Sequence, residues 1–241
     1  VTLLTIDRVS KSFRGLRAVA NASIEVAEGA IVALIGPNGA GKTTIFNMVA
    51  GVHAPDSGEI RLAGTRIDGL RPDQICAAGV GRTFQIVRPF AGLSVLDNVI
   101  VGALRRTAKV GEARRHAGAI LDRLGLGAKR DLPASSLTLP ERKRLEVARA
   151  LATGPRLLLL DETMAGLRPT ETDQIVEVFR ELNARDGLTI LLIEHVMRAV
   201  MALAQNIAVL HHGEVIARGA PAEIVRNPAV LECYLGEDAE V

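Results

Sequence analysis

The sequence predicts an α/β fold with a parallel-sheet core, on three observations. Short, continuously apolar runs at Ile31–Ile35, Leu157–Leu160 and Leu188–Ile193 read as strands buried on both faces. Helical patterns alternate with them, which is how parallel strands are connected. At 241 residues, 48% hydrophobic and 23% charged, the chain has a globular composition and length enough for a large core.

Along the chain, the first 35 residues read as strands. Ala22–Ala27 alternates apolar and polar, as a half-buried antiparallel strand does, before the buried run Ile31–Ile35. Gly36–Thr44 is a glycine-rich turn, Ile45–Ala50 an apolar helix-like run, and Gly58–Leu62 a short strand. From Pro89 to Ala152 the pattern is helical. There Ala113, Ala117, Leu121 and Leu124 step by four, four and three along one face. The bases of this stretch, Arg105, Arg106, Lys109, Arg114, Arg115 and Arg123, read as a solvated helix face. Leu157–Leu160 ends in Asp161-Glu162. Thr170-x-x-Asp173 predicts a capping box opening a helix whose core face is Ile175, Val178, Phe179 and Leu182. Leu188–Ile193 closes at Glu194-His195. Ile207–Leu210 and Glu214–Ala217 form a hairpin through His212-Gly213.

Composition excludes several classes. Two cysteines, Cys76 and Cys233, make no disulfide framework, and nothing near them has zinc-ligand spacing, so a reducing, cytoplasmic setting is expected. With 29 basic against 27 acidic residues, charge gives no argument for nucleic acid, and 2% aromatics give no base-stacking platform. No apolar run approaches the ~18–20 residues of a membrane span, and Val1–Ser10 does not read as a signal peptide.

Gly36-Pro37-Asn38-Gly39-Ala40-Gly41-Lys42-Thr43 satisfies G-x-x-x-x-G-K-[ST], the phosphate-binding P-loop. Its glycines let several backbone N–H groups face one anion, and the following helix adds its positive end. Lys42 then reaches the β- and γ-phosphates, Thr43 ligates Mg²⁺, and Thr44 extends the binding turn. Leu157–Asp161 is the matching Walker B strand, with Asp161 as a metal carboxylate and Glu162 placed to polarise an attacking water.

With these motifs the chain resembles the ATP-binding-cassette ATPases over essentially its whole length. The resemblance implies a P-loop NTPase core of the RecA-like kind, with an N-terminal antiparallel β region and a helical subdomain insertion. It implies one nucleotide-binding domain over 1–241, with the core at 1–85 and 153–241 and the helical subdomain at about 86–152. It further implies that Gln85 is the Q-loop residue touching Mg²⁺ or its water, that His195 contacts the γ-phosphate, and that Phe13 stacks on adenine. Closer similarity is to the ATPase subunits of branched-chain amino-acid importers. It is carried by Arg82-Thr83-Phe84-Gln85-Ile86-Val87-Arg88-Pro89-Phe90, by Ile193-Glu194-His195-Val196-Met197, and by the tail from Asn227 to Glu237.

Three positions depart from the family. Its signature, usually Leu-Ser-Gly-Gly-Gln, aligns with Leu137-Thr138-Leu139-Pro140-Glu141, which lacks both glycines. Pro140 has no backbone N–H to offer a phosphate. Thr163 replaces the proline usual after the Walker B Glu, and Arg168 stands at the D-loop aspartate position. The resemblance implies ATP and Mg²⁺ as cofactors and a head-to-tail sandwich with a second cassette, in which each signature closes the other chain's P-loop. The altered signature favours a heterodimer. Transmembrane permease subunits and, indirectly, a secreted solute-binding protein complete the implied assembly, at the cytoplasmic face of the membrane. No nucleic acid is expected. The alternatives are a non-transport cassette acting on nucleic acid or ribosomes and a regulatory module with weak turnover.

Overall fold

Alternating side chains fold the N-terminal segment into an antiparallel hairpin, β1 (Thr2–Phe13) and β2 (Leu16–Ala27). The buried positions of β1 change from Leu4 and Ile6 to Val9, and Arg8, with φ +47°, marks the bulge that shifts them. These elements belong to a computed structural model that describes residues 1–235. After β3 (Ile31–Ile35), β4 (Ser57–Leu62) and β5 (Thr65–Arg66) complete a four-stranded antiparallel sheet, ordered β2–β1–β4–β5.

β3 itself belongs to a second sheet with β6 (Val80–Arg82), β7 (Leu157–Asp161), β8 (Thr189–Ile193), β9 (Asn206–His211) and β10 (Glu214–Gly219). Its order is β10–β9–β3–β8–β7–β6, parallel throughout except at the β9–β10 hairpin. That hairpin turns at His212 and Gly213, both with positive φ, as the expected two-residue turn requires. Every residue of β3, β7 and β8 is buried. Alternate side chains of β3 serve two cores. Val32 and Leu34 pack with the antiparallel sheet, and Ile31, Ala33 and Ile35 pack with the helices.

Helix α1 (Lys42–Val49) begins three residues before its apolar run, because the glycine turn releases directly into it. α2 (Pro72–Ala78) precedes β6. The helical stretch starts at residue 95 rather than 89 and divides into α3 (Val95–Ala103), α4 (Val110–Arg123) and α5 (Leu139–Ala152). Ala113, Ala117, Leu121 and Leu124 are buried, as their spacing predicts. Several bases here pair locally: Lys109 with Glu112, Arg114 with Asp97, Arg123 with Asp186.

The predicted cap of α6 (Pro169–Asp186) is corrected by the structure. Arg168, not Thr170, is the N-cap, and Glu171 accepts its backbone N–H at 2.8 Å. Pro169 fixes that start, since its ring suits the first helical position. Ile175, Phe179 and Leu182 are buried and Val178 half-buried, with Val176 added to the core face. α7 (Met197–Leu203), α8 (Pro221–Ile224) and α9 (Pro228–Leu235) complete the elements among the described residues. Gly236 and Glu237 of the importer-like tail lie outside the described residues. Among the described residues, no helix is long and apolar enough to cross a membrane.

The registers Leu34↔Ile193 and Asp161↔Ile193 bring the C-terminal ends of β3, β8 and β7 level. Open α/β sheets bind ligands along that edge.

Candidate active site

From Ile35 the chain turns through residues 36–41 into α1. Two of its glycines are demanded by space. A Cβ on Gly36 would stand 2.0 Å from the Leu210 carbonyl oxygen, and one on Gly41 2.4 Å from that of Ala18. Gly41 is also the N-cap of α1, with φ +103°, and the first turn after it, Lys42-Thr43-Thr44, contains no acid. The N-terminal N–H groups of α1 therefore meet no carboxylate of their own helix, and an anion is favoured there. Lys42 Nζ donates to the carbonyls of Gly36 at 2.6 Å and Pro37 at 2.7 Å, which brings its ammonium back over the loop. Asn38 and Gly39 are exposed, Pro37 and Ala40 buried, and Thr44 half-buried.

Asp161 ends β7 and is 4% exposed. Arg82 Nη2 donates to its Oδ2 at 2.9 Å, while Arg82 Nη1 donates to Asn47 Oδ1 on α1 at 2.7 Å. One guanidinium thus ties β6, β7 and the P-loop helix together. Thr43, Gln85 and Asp161 line a single cavity of about 480 Å³. Hydroxyl, carboxamide and carboxylate make an all-oxygen donor set, which suits a hard cation such as Mg²⁺. The residues present fit the metal.

Glu162 follows in a left-handed backbone conformation, φ +47°, unusual for a residue with a side chain. Its Oε2 accepts from Gln85 Nε2 at 2.5 Å, and its Oε1 stands 3.9 Å from His195 Nδ1. Its N–H donates to the Ile193 carbonyl at 2.9 Å. Three segments far apart in sequence thus place Gln85, Glu162 and His195 in one cluster. A carboxylate so flanked can orient a water and accept its proton. Behind it lies Glu194, 1% exposed, whose Oε1 accepts the Met164 N–H at 2.7 Å. Burial pushes the Glu194 carboxyl up to about 7, and its Oε2 has no hydrogen-bond partner among the described residues.

The signature segment is built differently. Leu137 is buried, Thr138 is the N-cap of α5, Leu139 is 47% exposed, and Pro140 sits inside the first turn. Glu141 Oε2 accepts the Thr138 N–H at 3.0 Å, and its Oε1 receives Lys129 Nζ at 2.5 Å. That ammonium holds the Glu141 carboxyl below the usual carboxylate range. The N-terminus of α5 is therefore capped by its own acid. Residues 137–141 lie outside the lining of the cavity that joins Thr43 to Asp161. Thr163, at the usual proline position, stands with its buried hydroxyl 3.3 Å from that of Thr83. Arg168 pairs with Glu171 on the surface. Phe13 is 38% exposed, its ring edge-on to His53 at 5.1 Å, and it too lies outside that cavity lining.

Sequence reasoning does not find Arg82, Lys143 or Glu194. A buried carboxylate demands a partner, but that Arg82 supplies it to Asp161 follows only from β6 lying beside β7. Lys143 and Glu194 carry no sequence signal either, because their burial comes from tertiary packing.

Residues 19–165 match the family model described as ABC transporter, and residues 214–240 match that described as Branched-chain amino acid ATP-binding cassette transporter. The high-affinity branched-chain amino acid transport ATP-binding protein LivG of Salmonella typhimurium is 42% identical over 252 residues, covering 98% of each chain. The corresponding protein BraF of Pseudomonas aeruginosa is 38% identical with the same coverage. The lipopolysaccharide export system ATP-binding protein LptB of Acidithiobacillus ferridurans is 37% identical, covering 99% of each. A crystal structure of an ATP-binding cassette of an ABC transporter in its ADP conformation matches with a TM-score of 0.89. It is 29% identical, covering 98% of this chain and 99% of that one.

Proposed function

The chain belongs to the ABC transporter family of ATP-binding cassettes, and from that membership we propose that it is the ATP-hydrolysing subunit of an importer for branched-chain or other hydrophobic amino acids. The observation that carries the cargo is the match of residues 214–240 to the branched-chain amino-acid cassette model. The cassette alone does not choose, since LptB and BraF differ in named cargo and are almost equally similar to this chain.

ATP with Mg²⁺ supplies the γ-phosphoryl group and neutralises charge on the phosphates. In the proposed division of labour, Lys42 and the backbone N–H groups of 36–44 bind and orient the phosphate chain. Thr43, Asp161 and Gln85 would hold the metal, Asp161 through the oxygen that Arg82 does not engage. Glu162 positions the attacking water and takes its proton at a carboxylate oxygen, with Gln85 fixing the other oxygen. His195 donates toward the γ-phosphate, and Phe13 stacks on adenine. Residues 137–141 act on a second cassette, for which a partner with an intact signature is the favoured choice.

The same reading makes 1–85 and 153–241 the catalytic core and about 86–152 the helical subdomain of one domain. Between them, Val52, Ile75, Phe84 and Val101 help line a cavity of about 280 Å³ suited to a permease helix. The subunit would sit at the cytoplasmic face of the membrane, supplied indirectly by a secreted binding protein. Vesicles holding the chain with its permease subunits and partner cassette test this. Leucine uptake that requires ATP and Mg²⁺ is expected. A complex that hydrolyses ATP yet moves no hydrophobic amino acid would contradict the cargo alone.

A further inference from the structure

Helix α5 presents Lys143, Glu146 and Arg149 along one stripe, spaced three residues apart. Two of them engage the backbone of residues 84–88: Lys143 Nζ donates to the Gln85 carbonyl at 3.4 Å and Arg149 Nη1 to the Arg88 carbonyl at 3.3 Å. Arg149 also pairs with Glu146 at 2.8 Å. Lys143 and Glu146 are 4% and 5% exposed, and burial lowers the Lys143 pKa while raising that of Glu146. Charges this deep persist only where partners hold them.

Lys143 has a second acceptor, the Glu162 carbonyl at 3.0 Å. Its two carbonyls therefore belong to the two residues whose side chains meet at 2.5 Å, Gln85 and Glu162. Glu162 also holds a strained left-handed backbone, which needs surrounding contacts to persist. We propose that Lys143 is a positioning residue: from the helix that carries the signature, its ammonium holds the main chains of Gln85 and Glu162 in the register at which Glu162 meets the attacking water. A displacement of α5 then moves the catalytic carboxylate through a single side chain. This rests on the reading of Glu162 as the residue that activates water.

The test uses the assembled transporter with four variants of this chain: Lys143→Met, Lys143→Arg, Glu162→Gln, and Lys143→Met with Glu162→Gln. Lys143→Met is expected to keep nucleotide affinity and KM within about 3-fold while lowering kcat about 10-fold or more. Added to Glu162→Gln, it should lower kcat by less than about 2-fold, because both changes act on one carboxylate. Lys143→Arg keeps a buried donor and should restore kcat to within about 3-fold of wild type; it carries the test if the Met variant does not fold. Wild-type kcat in Lys143→Met, a fully multiplicative loss in the double variant, or an Arg variant as slow as the Met variant would overturn the proposal. Those results beside a slow Glu162→Gln leave the water-activation reading intact. Undiminished turnover in Glu162→Gln alone would overturn both.

Discussion

Two helix N-termini in this molecule carry family motifs, and they are finished in opposite ways. At α1 the cap is a left-handed glycine, the first turn holds no acid, and it carries the Lys42 ammonium. At α5 the cap is Thr138, the second position is a proline, and Glu141 closes the end with its own carboxylate. The first leaves donors for a ligand; the second turns a carboxylate of its own onto the Thr138 N–H. In the catalytic cluster the Glu162 backbone is strained and a buried Glu194 oxygen lacks a partner among the described residues, whereas α5 starts with good local caps. Local satisfaction is given up where chemistry needs open groups.

The largest effect should come from the open end. Lys42→Ala removes the cation over the loop, and turnover should fall about 10³-fold with weakened ATP binding. Near-normal turnover would erase the distinction between the two helix ends. Next in size is Glu162→Gln, expected to slow hydrolysis about 10²-fold while sparing ATP binding. Nucleotide retention after gel filtration of the complex checks the binding half of that statement.

The open end is also the part that was legible in the sequence. Gly36 and Gly41 are irreplaceable for steric reasons that fixed spacing encodes, and continuous apolar runs identify β3, β7 and β8. The link from Arg82 to Asp161 was not legible, because it joins residues 79 apart and depends on β6 lying beside β7. Glu194 was read only as the neighbour of His195, since its burial comes from tertiary packing. The start of α6 was misplaced by two residues because a Thr-x-x-Asp pattern competed with the proline that actually sets it. Glu141 was aligned with the signature, but its capping of α5 depends on side-chain geometry that the alignment does not contain.

A smaller effect separates the ends by pH. The Glu194 carboxyl rises from an ordinary 4.5 to about 7 on folding. Between those values the folded chain keeps a proton that the unfolded chain has released, so stability falls as pH rises toward 7. Glu194→Gln should remove that slope, raising the melting temperature by about 3–8 °C at pH 8 and little at pH 4.5. Equal shifts at both pH values would show that the carboxyl does not titrate in this way. The smallest effect belongs to the closed end. Glu141→Gln keeps a capping side chain but removes its charge, and turnover of the homodimer should rise about 2–5-fold, lost in high salt.

The contrast between the ends is tested most directly by ATPase rates of the isolated chain, of its complex with a cassette whose signature retains both glycines, and of Leu139→Gly/Pro140→Gly in each setting. One restored charge-assisted hydrogen bond to phosphate is worth about 1.5–3 kcal/mol, or roughly 10–150-fold. The isolated wild-type chain should therefore be slow, the glycine variant faster by about that factor, and the mixed complex fast without it. A rapid wild-type homodimer, unchanged by the two glycines, would contradict the claim that the N-terminus of α5 is closed to phosphate.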